Sequence, residues 1–144
     1  MEFVKAQEID LDQIIKIEEE NFLDPYRKKD FLYELKENPF SNFYVVKIDN
    51  KIYGYIIFWI TFETSTLCRI CVENLKKYQG LGSFLLENAE KILIKNKVES
   101  MSLEVRESNL SAINFYKKHG FIKIFMKEHY YANGENALYM MKGY

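Results

Sequence analysis

The chain has few of the residues that cross-link, break or specially mark a fold. It carries two prolines, six glycines, two histidines and two cysteines in 144 residues. The cysteines stand as Cys68-x-x-Cys71, a spacing that can serve a metal or a redox pair. No second pair and no neighbouring histidine completes a zinc set. Both also fall in a strand-like segment, where residues three apart face opposite sides. They read as ordinary sheet residues, and no metal is expected. A net charge of −1 supplies no bulk field towards nucleic acid or a membrane surface. The longest apolar run, 52–60, is interrupted by Gly54 and is too short to cross a bilayer. The first residues, Met1-Glu2-Phe3-Val4-Lys5, show no basic stretch leading into an apolar one. The expectation is a cytoplasmic protein with neither nucleic acid nor membrane as partner.

Apolar surface, by contrast, is plentiful. Hydrophobic residues make up 48%, with eleven Tyr and eleven Phe, enough to build a core in one domain spanning 1–144. A short first strand is expected at 2–6. Asp10 with Gln13 has capping-box spacing ahead of Leu11, Ile14, Ile15 and Phe22, an amphipathic helix whose Glu18-Glu19-Glu20 run reads as a solvated face. Asp24-Pro25 breaks it, a second helix follows at 28–37, and Asn38-Pro39 ends that one. Strands at 43–48 and 51–62 flank Asp49-Asn50, a pair that tolerates positive φ and suits a hairpin. Strands at 64–72 and 100–105 enclose a helix, so they should be parallel neighbours. A last helix carries Ile113, Phe115 and Tyr116, begins at Ser108 or Asn109, and closes at His119-Gly120, where the histidine favours the negative end of the dipole. A final hairpin at 121–131 and 136–141 turns over Ala132-Asn133-Gly134-Glu135. The class is α+β with a mixed sheet.

One stretch combines these signals most densely. A strand ends near Val72, and after a polar turn Gln79-Gly80-Leu81-Gly82-Ser83 opens a helix with Leu81, Phe84, Leu85, Ala89, Ile92 and Leu93 on one side. Unpaired N–H groups and the dipole make a helix start attractive to phosphate, and glycine lets a phosphate come close. A pyrophosphate cradle and a plain tight turn both satisfy the fragment. Neither a Walker loop nor Gly-x-Gly-x-x-Gly fits, because Leu85 stands where the third glycine belongs.

Lys77-Tyr78-Gln79-Gly80-Leu81-Gly82 resembles the acetyl-CoA motif of the GNAT N-acetyltransferases. Leu103-Glu104-Val105-Arg106-Glu107-Ser108-Asn109, followed by Ala112-Ile113-Asn114-Phe115-Tyr116, resembles the RimI branch of that family and its archaeal and eukaryotic N-terminal acetyltransferase relatives. The resemblance implies a GNAT fold: a mixed, largely antiparallel sheet of about seven strands, a splayed parallel pair at its centre, and about four flanking helices. It implies acetyl-CoA as the acetyl donor and a protein or peptide N-terminus as acceptor, a ribosomal protein with N-terminal alanine being the RimI case. The sequence does not indicate an oligomeric state.

The same resemblance distributes roles. Lys77, Tyr78, Gln79, Gly80, Leu81, Gly82 and Ser83 would hold the pyrophosphate. Ile70, Cys71 and Val72 would offer backbone groups to the pantetheine arm, with the Val72 N–H polarising the thioester carbonyl. Asn109 would bond the arm. Glu104 alternates with Leu103 and Val105 on its strand; by position it is either a surface or a site group, and the resemblance makes it the general base, with a raised pKa an advantage. Tyr116, otherwise a buried aromatic, would be the general acid at the CoA sulfur. Leu23 and Tyr26 on the loop between the first helices, and Tyr130 and Tyr131 on the last hairpin, would touch the acceptor, or else only pack. His129 reads as a strand surface residue, or a secondary base if turned inward. Lys77, Tyr78 and Ser83 depart from the usual motif residues, which should alter cofactor affinity, with Lys76 and Lys77 as compensation. Two other readings remain: a GNAT enzyme acting on lysine ε-amines or polyamines, and a non-catalytic acyl-CoA-binding protein. Retention of Glu104, Tyr116 and the glycines together favours an enzyme.

Overall fold

The computed structural model describes residues 1–75 and 77–144. Its centre is a seven-stranded sheet in the order β1-β2-β3-β4-β5-β7-β6. The strands are β1 (Glu2–Lys5), β2 (Ser41–Ile48), β3 (Lys51–Thr61), β4 (Thr64–Val72), β5 (Ser100–Arg106), β6 (Ile122–Lys127) and β7 (Ala137–Gly143). Every neighbouring pair is antiparallel except β4 and β5, between which the chain crosses over through a helix and returns in the same direction. The helices among the described residues are α1 (Leu11–Asn21), α2 (Lys28–Leu32), α3 (Leu81–Lys95) and α4 (Leu110–Lys118); a π turn, Tyr33–Glu37, continues α2. This is the mixed, mostly antiparallel GNAT architecture that the resemblance implied.

The sheet buries both faces. On one, Val46, Ile56, Phe58 and Leu67 pack under Leu81, Leu85, Leu86, Ala89 and Leu93 of α3 and Ile113 of α4. On the other, Phe43, Val45, Tyr55 and Ile57 pack under Leu11, Ile14 and Ile17 of α1 and Phe31 of α2. The β2–β3 turn has φ of 51° at Asp49 and 64° at Asn50, the backbone a two-residue hairpin needs.

Three local expectations are corrected. Asp10 does not form a box with Gln13. Its carboxylate accepts from the Gln7 N–H at 2.8 Å, because a 3₁₀ turn, Glu8–Asp10, precedes α1; the Gln13 side-chain carbonyl accepts from the Ile52 N–H instead. The run 18–20 is not wholly solvated, since Glu18 is buried beneath the sheet. Cys68 and Cys71 do not face opposite sides: both belong to the α1–α2 core. Ile57 pairs with Arg69 but Phe58 pairs with Leu67, so Cys68 is an extra residue. A β-bulge of this kind resets the in-out alternation.

The buried thiols make stability sensitive to alkali. Burial, with the Glu18 carboxylate adding to it, pushes the Cys71 thiol up to about 12. Burial likewise pushes Cys68 well above the usual range, with Glu34 adding, and Tyr55 moves in the same direction through burial and the neighbouring Glu18. In the unfolded chain the thiols ionise near ~8.5 and the phenol near ~10. The unfolded state therefore sheds protons first, and the stability these groups carry is full below those values and lost as pH rises above them. The urea midpoint of unfolding should hold to roughly pH 8 and then decline, and Cys71→Ala should flatten the first part of the decline. A midpoint unchanged up to about pH 10 would contradict this burial pattern.

Candidate active site

The site begins where β4 and β5 part. Their pairing joins Thr64, Ser65 and Thr66 to Ser100, Met101 and Ser102 and ends there, while β4 remains paired with β3 as far as Val72. Bonded and non-bonded pairs alternate along an antiparallel ladder. The Glu73 N–H donates to the Tyr53 carbonyl at 2.8 Å, so Gly54–Val72 and Ile56–Ile70 are the non-bonded pairs. The N–H and C=O groups of Ile70 and Val72 therefore point away from β3, into the gap that β5 has left. That gap is a cavity of about 320 Å³, walled by Ile70, Cys71 and Val72, by Gly82 at the start of α3, by Asn109, Ala112, Phe115 and Tyr116 around α4, and by Asn21 and Phe22 at the end of α1.

The start of α3 forms one end of the gap. Gly80 caps the helix at φ 76°, a left-handed conformation for which glycine is suited, and a side chain there would meet open space. The first intrahelical bond runs from the Phe84 N–H to the Gly80 carbonyl at 2.9 Å, which leaves the N–H groups of Leu81, Gly82 and Ser83 without a helical acceptor. The Leu81 side chain is buried in the core, so this turn is anchored while its donors are offered outward. Gly82 serves packing instead. A Cβ there would lie 3.3 Å from the Phe115 ring, so the glycine lets α3 approach α4. Gln79 and Lys77 are exposed. Tyr78 packs edge-on against Tyr53, with centroids 5.0 Å apart, and the Lys77 ammonium sits over the Tyr78 ring. Ser83 Oγ and His119 Nε2 are 2.8 Å apart, so His119 ties the C-terminus of α4 to the first turn of α3 rather than serving the dipole alone. Lys76 lies outside the described residues.

Asn109 caps α4 by accepting from the Ala112 N–H at 3.2 Å, which leaves its own amide hydrogens for a ligand in the cavity. Tyr116 lines the same cavity. Burial raises its hydroxyl pKa well beyond the usual range, with Tyr131 contributing, so it keeps its proton at any physiological pH.

Glu104 sits on β5 with Leu103 and Val105 turned to the core. Its Oε1 accepts from the Lys127 ammonium at 2.8 Å, and its Oε2 is buried with no partner among the described residues. Hydrogen bonding to Glu104 holds Lys127 above the ordinary lysine value, and the ammonium also lies over the rings of Tyr130 and Tyr139, 5.2 and 5.6 Å away. The Tyr130 hydroxyl is raised first through hydrogen bonding to the Glu104 carboxylate and then by burial, although its geometry falls short of a regular bond and leaves Oε2 unsatisfied. Tyr131 stacks edge-on with Tyr130 and lies under the Arg106 guanidinium at 4.0 Å. Its hydroxyl is raised by burial, with Arg106 opposing and Glu104 adding.

The remaining predicted residues divide. Tyr26 is half-buried, T-shaped against Phe31 and 4.0 Å from the Arg69 guanidinium. Leu23 is fully exposed. His129 is not on a strand: it lies in the turn with φ 51°, its Nδ1 3.2 Å from the Gly134 carbonyl oxygen. Lys127, Asn21 and Phe22 were not anticipated as site residues from the sequence. Phe22 carried a signal, as the last apolar residue of the α1 stripe before the Asp24-Pro25 break.

Residues 11–121 match the acetyltransferase (GNAT) family. The N-alpha-acetyltransferase of Sulfurisphaera tokodaii is 35% identical over 148 residues, covering 94% of this chain and 88% of that protein. The [ribosomal protein bS18]-alanine N-acetyltransferase of Escherichia coli K12 is 32% identical over 122 residues, covering 85% and 81%. The crystal structure of the ribosomal-protein-S18-alanine N-acetyltransferase from Escherichia coli superposes with a TM-score of 0.88 at 28% identity, over 99% of this chain and 92% of that one.

The two ends of this turn should separate on substitution. Gly82→Val drives a branched side chain into Phe115 and should lower both the melting temperature and coenzyme A affinity, the latter by about tenfold, ~1.4 kcal/mol. Ser83→Ala removes only the His119 contact and should leave affinity within about threefold. Isothermal titration with coenzyme A checks both; equal affinities in the two variants would contradict the packing assigned to Gly82.

Proposed function

The chain belongs to the acetyltransferase (GNAT) family, and from that premise we propose an N-terminal protein acetyltransferase of RimI type. It transfers acetyl from acetyl-CoA to the α-amine of a protein that begins with a small residue, alanine above all, with a ribosomal protein as acceptor. In this reading residues 1–144 form one such domain.

The observation that carries the proposal is the Oε2 of Glu104, buried and unpartnered among the described residues. It projects from β5, the strand that parts from β4 to open the gap. A buried carboxylate oxygen without a donor needs a ligand or water to satisfy it. The two relatives named above, each over 30% identical, support an α-amine as acceptor. So does the chemistry. With a pKa near ~8 about a tenth of an α-amine is neutral at pH 7, against well under a thousandth of a lysine, so a carboxylate base suffices.

The residues present suit acetyl-CoA. The open start of α3 offers three N–H donors to a pyrophosphate, the gap admits an extended arm beside Ile70, Cys71 and Val72, and Asn109 retains a free amide group. When bound, acetyl-CoA supplies the thioester that the amine attacks, with CoA as leaving group. Glu104 Oε2 takes the proton that the amine loses, through a water molecule. The Val72 N–H points into the gap and stabilises the negative charge that develops on the carbonyl oxygen. Tyr116 donates its proton to the departing sulfur; the burial that raises its pKa keeps that proton in place until charge builds there. Tyr130 and Tyr131 line the acceptor side, and Leu23 and Tyr26 flank it. Lys127 occupies Glu104 until an acceptor ammonium arrives.

The test uses acetyl-CoA with three acceptors: a free peptide beginning Ala-Arg-Tyr, the same peptide N-blocked with an internal lysine, and spermine. Acetylation confined to the free N-terminus is expected, read by mass spectrometry; turnover of lysine or spermine would replace the acceptor assignment. Glu104→Gln should lose kcat/KM more at about pH 6.5 than at about pH 9, because the α-amine with its pKa near ~8 deprotonates unaided at the higher pH. An unchanged pH profile would remove Glu104 as base. Tyr116→Phe should cut kcat by roughly 10²-fold without raising the acceptor KM.

A further inference from the structure

The most elaborate polar cluster outside the catalytic groups is buried under the α1–α2 loop. Glu18 is completely buried, and it collects donors from three separate elements. The Arg69 Nε donates to its Oε2 at 2.9 Å and a second Arg69 nitrogen donates to the same oxygen. The Tyr26 N–H donates to Oε2 at 2.8 Å, and the Tyr55 hydroxyl donates to Oε1. Arg69 in turn touches the loop from beneath. Its guanidinium lies 4.1 Å from the Phe22 ring and 4.0 Å from the Tyr26 ring, and it reaches the Asp24 carbonyl oxygen at 3.4 Å. The β4 bulge makes this possible: the register reset at Cys68 turns Arg69 onto the α1 face. Phe22, one of the two rings on the guanidinium, is a wall of the cavity.

From this geometry we propose that Glu18 and Arg69 are positioning residues that hold the loop from Phe22 to Tyr26 as a rigid wall, setting acceptor affinity and the size of first side chain admitted. The proposal rests on the acetyltransferase reading of the cavity. A buried carboxylate and a guanidinium clamped between two aromatic rings leave the loop a single seat. Loosening the clamp lets Phe22 swing, widening the acceptor side without disturbing the cofactor side at α3 and α4.

Breaking a buried pair from one side alone leaves an uncompensated charge and can unfold the chain, whereas replacing both partners by neutral groups of similar shape is tolerated. Three variants therefore go together: Arg69→Lys, Arg69→Met, and the double variant Glu18→Gln/Arg69→Met. If the pair served stability alone, the double variant would recover both the melting temperature and the acceptor KM. The proposal expects the melting temperature to recover while the KM for the acceptor that the wild type turns over stays raised by about tenfold. Coenzyme A affinity should remain within about threefold, and the preference for alanine over phenylalanine as first residue should fall. Recovery of KM together with stability overturns it.

A second measurement does not depend on activity. Hydrogen exchange at the amides of residues 22–27 should accelerate in the double variant while α1 amides keep their protection; unchanged loop protection overturns the proposal even if the acceptor proves to be a different amine. Failure of the acceptor assignment is seen separately, as wild-type turnover on lysine or spermine instead of the free N-terminus.

Discussion

The parallel pair at the centre of the sheet stops pairing after Thr66 and Ser102, and the rest of the molecule is arranged around that break. Two adjacent strands that abandon each other inside a sheet leave backbone donors and acceptors exposed in a crevice, a costly arrangement unless something else satisfies them. The break persists because both flanks are held elsewhere. β4 is paired to β3 along its length, β5 is paired to β7 from Ser100 to Arg106, and each face of the sheet carries its own apolar core. The result is a fixed slot with the Ile70 and Val72 amides on one edge, the start of α3 at one end, and Tyr116 in its wall.

Buried carboxylates separate by how completely they are satisfied. Glu34 takes the Trp59 indole N–H at 3.0 Å and the Asn38 amide. Glu90 takes the Tyr144 hydroxyl and the Lys142 ammonium. Asp10 takes the Gln7 N–H and lies 3.5 Å from Lys47, and Glu18 is shared among Arg69, Tyr55 and Tyr26. These groups cross-brace the fold. Glu104, half-buried as a residue, differs from them in that its Oε2 is itself buried without a partner among the described residues. A satisfied carboxylate lowers the number of states the chain can adopt, while a half-satisfied one is prepared to receive a proton or a ligand.

The strands and helices were largely legible because each rests on local signals: the Asp49-Asn50 turn, the two X-Pro breaks, and apolar spacing along α1 and α3. The glycines were legible as a pair but not as separate roles, since only packing distinguishes Gly80 in open space from Gly82 against Phe115. What escaped was non-local. A strand pattern assumes strict alternation, and one extra residue opposite Phe58 reverses it for everything before Cys68 relative to everything after. That single insertion explains both the misplaced cysteines and the unforeseen role of Arg69. Glu18 looked solvated because a helix stripe shows which side is apolar, not that an arginine 51 positions along the chain will meet a carboxylate there. Lys127 was invisible for the same reason: it reaches Glu104 across 23 positions of chain.

The most direct test of the account is amide hydrogen exchange along β4, measured residue by residue with and without acetyl-CoA. The Ser65 amide belongs to the paired part of the strand and Cys71 to its β3 side, so both should be protected in either state. Ile70 and Val72 should exchange fast in the free protein and become protected when acetyl-CoA is bound. Protection of Ile70 and Val72 already present in the free protein, or no change on adding acetyl-CoA, would contradict a slot whose function is to present those two amides.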